Sequence, residues 1–455
     1  CGGIALPLSN VRFRENEDGI WGFAVIPYVS ATQENVMWPD MGKNSRKPSL
    51  FGHIEGLRGL EKKRPLSLIP TIAQSAATGR SARTGSDSPR WRDVADDYNT
   101  HLGLDVRFRP ASTVETNIAV NPDFATVEAD EFLFNLTLDE LQYPEKRPFF
   151  TEGQDRFETP IQLLYTRRMG LGGYDMLGGA KLHGQSGRVS FGAMDVMTGK
   201  DFGDPRFNYS AVRLKGDILR SSTIGLLAVS KDSLGAGLEN QNGAVGADFA
   251  WQMNRDTRLV TQYARSTRAG TGGEGYAAAA SFNYAGSVFD PRDNMSVSAS
   301  FEDITPDFDI RDIGYIGGTR LDRRGGRGSL GYDYWIKSDR LNRASASAAG
   351  WSYSDHGGHI RTQDGFSGQV SFETRNLVKP GFLFERSYVF LPRSGARYHN
   401  TQRTISLQFG PYPRFLGLFT ARNGDHYDAA IPYLPWEANA THHVRIQCKN
   451  LALGK

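Results

Sequence analysis

The sequence predicts an all-β protein: a large antiparallel transmembrane β-barrel of roughly 16–20 strands, preceded by the end of a β-sandwich domain. Three observations lead there. From about His101 onward, alternating apolar and polar runs of roughly 10 residues follow one another with no helical interlude. The chain holds 51 Gly, 26 Phe and 18 Tyr at only 39% hydrophobic residues, as many strands and turns with one polar face each would give. No apolar run reaches the roughly 18 residues of a membrane helix, which leaves a crossing by strands of about 9–11 residues open.

Residues 1–60 read as a compact β-rich piece, the C-terminal part of a carbohydrate-binding-like sandwich, and residues 61–455 as the barrel. Cys1 is either a lipid-bearing cysteine or a residue inside a longer chain. Trp21 and Trp38 are the candidates for stacking a sugar ring, with sandwich core as the plainer reading. Ala73–Asp97 is small, polar and charged, and reads as a loop. Phe132 to Asp139 alternates as a strand, and Pro144 and Pro148 then interrupt any ladder.

Further along, Phe249, Trp251 and Met253 oppose Asp248 and Gln252, and Phe282 and Tyr284 oppose Ser281 and Asn283. Phe366, Val370 and Phe372 oppose Ser367, Gln369 and Ser371, and Ile405 and Leu407 oppose Thr404 and Ser406. In a soluble sandwich these greasy faces would meet in a core; in a barrel they would face lipid. The barrel reading is favoured by run length, by the small or ionisable polar faces and by aromatics at run ends. Asp232–Asn242, Thr267–Gly275, Gly325–Gly328 and Asp355–Gly358 read as turns, and the glycine-rich Gly170–Gly179 and basic Thr319–Arg327 as loops.

The formal charge of +3 is too balanced for a nucleic-acid partner. Cys1 and Cys448 have no metal-type spacing, the histidines are scattered, and neither a metal nor a cofactor is expected. No GxSxG elbow, Walker loop or HExxH helix occurs. The candidate site is a charged insert at about residues 121–157 that continues in a pair of arginines: Asp123, Glu128, Asp130, Glu145, Lys146, Arg147, Glu152, Asp155, Arg167 and Arg168. So many ionisable groups suit a wet enclosure, as a salt-bridged constriction or an inward-folded plug. Paired carboxylates could act on a glycosidic bond, but neighbouring cations lower their pKa values and make them poor general acids.

NPDFATVEAD (121–130), YPEKRPFFTEG (143–153) and LLYTRRMG (163–170) resemble the bacterial outer-membrane barrels of the DUF5916 family, which carry an N-terminal family 9 carbohydrate-binding domain. The resemblance extends through GGAKLHGQSGRVSFGAMDVMTG (178–199) to ITPDFDIRDIGYIGG (304–318), with EKRPFF as its most specific element. The first 60 residues are similar only to the closing part of the sugar-binding domain, and the resemblance fades after about Gly410. The family's arginine after a Gly-Phe-Ile-Pro-like stretch is missing behind Gly314-Tyr315-Ile316-Gly317, where Gly318 and Thr319 precede Arg320. The expected function is a solute or saccharide pore or docking platform without catalysis, in the outer membrane of a Gram-negative bacterium. The expected partners are outer-membrane lipid, a saccharide and other envelope proteins. The alternatives are a surface-anchored polysaccharide hydrolase and the scaffold barrel of a larger envelope complex.

Overall fold

The computed structural model describes residues 18–29, 34–39, 51–58, 66–83, 90–111, 113–122, 140–170, 175–199, 206–219, 221–234, 241–269, 274–317, 321–336, 338–391, 395–412, 415–425 and 443–449. Near the N-terminus, β1 (Trp21–Phe23) pairs with β4 (Gly52–Ile54), and β2 (Tyr28–Val29) with β3 (Glu34–Asn35). The other strands form one antiparallel series. It begins with β5 (Ser67–Arg83), β6 (Arg90–Ala111), β7 (Val114–Val120), β8 (Asp175–Ser186), β9 (Val189–Gly199) and β10 (Arg206–Ile218). Next come β11 (Ser222–Leu234), β12 (Asn242–Gln252), β13 (Thr257–Arg268), β14 (Glu274–Gly286), β15 (Asp293–Ile304) and β16 (Arg323–Trp335). The last are β17 (Leu341–Ser354), β18 (Arg361–Thr374), β19 (Val378–Leu391), β20 (Ala396–Tyr412), β21 (Phe415–Asp425) and β22 (His443–Lys449). Each pairs with its sequence neighbour, and the strand order runs round as a closed barrel with β22 beside β5.

The register fixes which side chains share a face. Val212, Leu214, Leu226, Val245 and Tyr263 lie on the outer side of β10–β13 and are exposed, whereas Ala211, Arg213, Leu227, Ala244 and Ala264 on the other side are buried. Trp251 and Phe372 are 39% and 46% exposed, and Phe366, Val370, Phe382 and Ile405 are exposed with them. The greasy rings therefore look outward, as lipid requires, instead of meeting in a sandwich core. With backbone N–H and C=O groups paired along the ladder, strands can cross hydrocarbon without apolar helices.

The two ends differ. Two-residue to six-residue turns such as 187–188 and 287–292 close one end, and long connections, including 121–174 and 305–322, occupy the other. Two of these fold inward. Residues 140–170 and 305–317 bury Phe149, Phe150, Phe157, Ile161, Leu163, Phe308, Ile310 and Ile313 against Met194, Val196, Leu227 and Ala264 of the inner wall.

Much of Ala73–Asp97 is strand in β5 and β6, not loop; β6 is 22 residues long, well beyond the roughly 9–11 needed to cross lipid, so its surplus need not be apolar. Gly325–Gly328 lies inside β16, because a Cβ on Gly325 would meet the Ser352 carbonyl at 2.1 Å and only glycine permits that approach. Arg323, Arg324 and Arg327 of the basic run are strand residues, and Met176–Gly179 belong to β8. The interior beside the insert is a dry apolar core, not only a wet enclosure. The strand expected at Phe132–Asp139 lies outside the described residues.

Inside the wall, Arg213 reaches across β11 to Asp248, with Nη2 to Oδ1 at 3.0 Å and Nη1 to Oδ2 at 2.5 Å. The strand between contributes Gly225, whose Cβ would sit 2.7 Å from the guanidinium. Both side chains are buried, at 2% and 9% exposure. Asp248→Ala should therefore cost about 3–5 kcal/mol by stranding Arg213, while the double change Arg213→Met/Asp248→Leu should cost much less. Urea unfolding followed by gel migration checks the order; equal losses would count against it.

Candidate functional site

The inner segment at 140–170 is fastened by one carboxylate. The Glu145 side chain is only 1% exposed and accepts from Arg147 Nε at 2.9 Å, Arg147 Nη2 at 2.7 Å and Thr166 Oγ1 at 2.6 Å. Backbone N–H groups of Lys146 and Arg147 donate to the same carboxylate at 3.1 and 3.0 Å. Arg147 also donates to the Thr166 and Met169 carbonyls and lies over the Phe150 ring at 4.2 Å. Proline at the start of the single helical turn α1 (Pro148–Thr151) sets its φ, so Phe149 and Phe150 point into the core. Burial pushes Glu145 up, but the Arg147 fork and the Thr166 hydroxyl outweigh it, and the carboxyl ends below its ordinary value of 4.5. A carboxylate held ionised in this way braces two stretches of chain and cannot readily supply a proton.

The segment is tied to the wall by polar contacts among the apolar ones. Lys181 of β8 donates to the carbonyls of Phe149 and Glu152 at the end of α1, where unpaired carbonyls and the helix dipole favour a cation. Glu152 accepts from Asn117 at 2.5 Å and pairs with Arg107 at 2.7 Å. Gln262 of β13 accepts from the Ile161 N–H at 2.5 Å. Gly153, at φ +68°, lies directly over the His183 ring, where a Cβ would come within 2.8 Å. Wall glycines Gly192 and Gly246 leave room for Phe157 and Leu163 in the same manner.

Residues 305–317 form the second inner segment. Tyr165 N–H donates to the Ile313 carbonyl at 2.8 Å and Tyr315 N–H to that of Gln162 at 2.9 Å. Asp309 gathers Arg268 at 2.7 Å and Arg311 at 2.7 Å, and Asp312 takes Arg268 at 2.6 Å and Lys231 at 3.7 Å. Burial raises Asp309, yet the hydrogen bonds from Arg311 and the nearby Arg268 bring it to about 2. A cavity of about 400 Å³ lies beside the first segment, lined by Tyr143, Glu145, Phe157, Glu158, Tyr165 and Lys181 among others.

Of the expected site residues, the structure brings Glu145, Lys146, Arg147, Arg167 and Arg168 together. Arg167 lies 3.9 Å from Glu145 and Arg168 is 2.6 Å from Glu140. Glu152 turns to the wall, and Asp155 is largely exposed, 3.8 Å from Arg156. Asp123, Glu128 and Asp130 lie outside the described residues. Trp38 is 53% exposed, with Gly52 under its ring, while Trp21 pairs in register with Ile54. No group of three metal-ligating side chains occurs among the described residues. Sequence reasoning missed Asn117, Lys181, His183 and Gln262. Polar side chains at inward positions two apart, as Lys181 and His183 are, were the available signal.

The opposite wall is different. On β15–β18, Ser298, Ser300, Ser329, Ser347, Ser367, Gln369 and Ser371 share the inward parity of Glu302. Among them stand Trp335, Trp351 and Tyr353, capped by Arg343, Arg327 and Arg323 at 5.1, 5.3 and 3.5 Å. Arg343 pairs with Glu373 at 3.0 Å and Arg323 with Glu302 at 3.0 Å.

The family model described as Domain of unknown function (DUF5916) matches residues 82–179, a span that contains the EKRPFF element and bears out the resemblance read from it. No curated protein matches the chain. Three solved structures from Pseudomonas aeruginosa are similar to it. OpdK with vanillate is 7% identical, with 84% of this chain and 96% of that one covered at a TM-score of 0.32. OccK10 (OpdN) is 11% identical, with 86% and 100% covered at 0.33. OccK8 (OprE) is 11% identical, with 79% and 92% covered at 0.31.

Because Glu145 and Asp309 both lie below their ordinary values of 4.5 and 3.8, the stability they contribute is complete above those values. It is lost as pH falls from about 4.5 toward about 2, as the carboxyls protonate. The amides of Lys146 and Arg147 should be strongly protected from exchange at pH 7, and their protection factors, taken relative to the intrinsic rate at each pH, should fall in that window. Glu145→Gln should remove about 2 kcal/mol and make exchange fast already at pH 7.

Proposed function

We propose that this chain is an outer-membrane pore in which residues 140–170, with 305–317 behind them, act as a plug that narrows the lumen to one side. The observation that carries this reading is the asymmetry of the interior. One half of the wall is filled by two inner segments on an apolar seat, and the half opposite, β15–β18, presents serines and Gln369 inward. Small hydroxyl and amide groups suit a hydrated path, because they neither seal it nor hold a solute tightly. The solute is polar and a saccharide is the best fit. Trp351 and Tyr353 offer ring faces to a sugar's C–H surface, and Glu302, Arg323, Glu373 and Arg343 offer hydrogen bonds beside them.

Nothing in this reading calls for chemistry. Glu145 and Glu152 hold chain segments in place, and the Arg147 fork and the Thr166 hydroxyl keep Glu145 ionised. The charged cluster is then the plug's fastening, and other envelope proteins at the N-terminal piece remain compatible with it.

Reconstitution into planar bilayers tests the proposal. The intact chain should give small single-channel currents, and deleting Pro144–Phe157 should enlarge them several-fold. Absence of current from both would sink the pore. Maltooligosaccharides should block the current, and Trp351→Ala should weaken that block with the open conductance unchanged; block that survives the substitution would remove the aromatic track while leaving the pore.

A further inference from the structure

Outward arginines on this barrel generally have an acidic companion. Arg265 lies 3.8 Å from Glu274, Arg324 lies 3.9 Å from Asp303 and Arg361 lies 3.8 Å from Asp364. On β19 and β20 the pattern breaks. Arg386 alternates with Phe382 and Phe384, and Arg403 with Ile405, so both point outward; Ser387 and Thr404 between them are buried on the inner side. Arg386 is opposite Thr401, which makes Arg403 its diagonal neighbour, about 7–8 Å away between strands. Arg397, opposite Phe390, adds a third exposed cation toward the long-connection end.

The groups facing these arginines are His399, its ring tilted against Tyr388 at 5.1 Å, Thr401, Asn423 opposite Arg403, and Phe366 opposite Arg386. Two carboxylates share the outward parity of this stretch among the described residues: Asp364, opposite Tyr388 and engaged by Arg361, and Asp425, opposite Thr401. Below the cluster the surface is apolar, with Phe366, Phe382 and Ile405 exposed. Two like charges side by side against hydrocarbon are costly unless an anion joins them.

We propose that Arg386, Arg403 and Arg397 bind the phosphate of an anionic lipid in the leaflet at the long-connection end, with its acyl chains lying on Phe382 and Ile405. A guanidinium presents a planar fork of donors that matches phosphate oxygens, and an apolar shelf directly beneath suits a lipid and not a free ion. This rests on the barrel sitting in lipid and is independent of whether it conducts.

Native mass spectrometry from neutral detergent micelles doped with phosphatidic acid, or with phosphatidylcholine, tests it on the full chain. Heat-modifiable gel migration verifies folding separately. Arg386→Gln/Arg403→Gln should weaken phosphatidic acid binding about 25-fold, five-fold per arginine, while phosphatidylcholine binding stays unchanged. Arg386→Lys/Arg403→Lys should retain most of it. Equal binding by the wild type and the Gln variant overturns the proposal, as does displacement of the lipid by an equal concentration of inorganic phosphate. On the wild type alone, raising salt from 0.1 to 1 M should weaken phosphatidic acid binding, since the Debye length falls from about 10 to about 3 Å. Insensitivity to salt would likewise overturn it.

Discussion

In hydrocarbon every backbone N–H and C=O must find its partner within the protein, and a series of strands each paired along its length meets that condition. The rest of this structure follows from that ladder. It sets side chains alternately inward and outward, so the outer set can be as greasy as Val245, Phe366 and Ile405. The inner set is released from facing lipid and becomes available for other work.

What the inner set does differs around the circumference. Along β8–β13 it is a seat: Met194, Val196, Leu227 and Ala264 are apolar, and Gly192 and Gly246 are notches for Phe157 and Leu163. An inner segment resting on this seat gains from burying its rings, but its backbone groups lose water and must be satisfied there. Lys181 and Gln262 do that from the wall while Asn117 donates to the Glu152 carboxylate, and Glu145 does it within the segment by holding Arg147 against the Thr166 and Met169 carbonyls. The charge at EKRPFF is thus the means by which a polar loop can lie inside a dry half of a barrel.

Charge on the outer surface obeys a different rule. There is no water at depth to solvate it, so a cation needs a carboxylate, an aromatic face or a lipid head group. Arg265 illustrates the first, being near Glu274, and it also donates to the hydroxyl of Tyr263, whose ring stacks on Tyr276. The inner arginines follow the same logic with different partners, as Arg323 does between Glu302 and the Tyr353 ring.

The sequence by itself determined the fold class and the orientation of the strands whose alternating runs it showed, because a period of two is a local property read from residues two apart. Trp251, Phe372 and Ile405 could be placed on the greasy faces on that ground, and run length together with the polar faces opposite assigned those faces to lipid. Composition was less dependable: Gly325–Gly328 and much of Ala73–Asp97 look like turns by residue type, yet they are strands, since a ladder tolerates glycine and polar residues where neighbours approach closely or where the strand outruns the bilayer. The charged insert was visible, as was its capacity for internal pairing. Only the tertiary structure decided where it goes. Ile161 meets Gln262 across 101 positions, and Tyr165 meets Ile313 across a larger gap, and no local pattern specifies such partners. Their selection depends on which wall offers notches and donors at the right height, a property that exists only once the strands have been brought side by side.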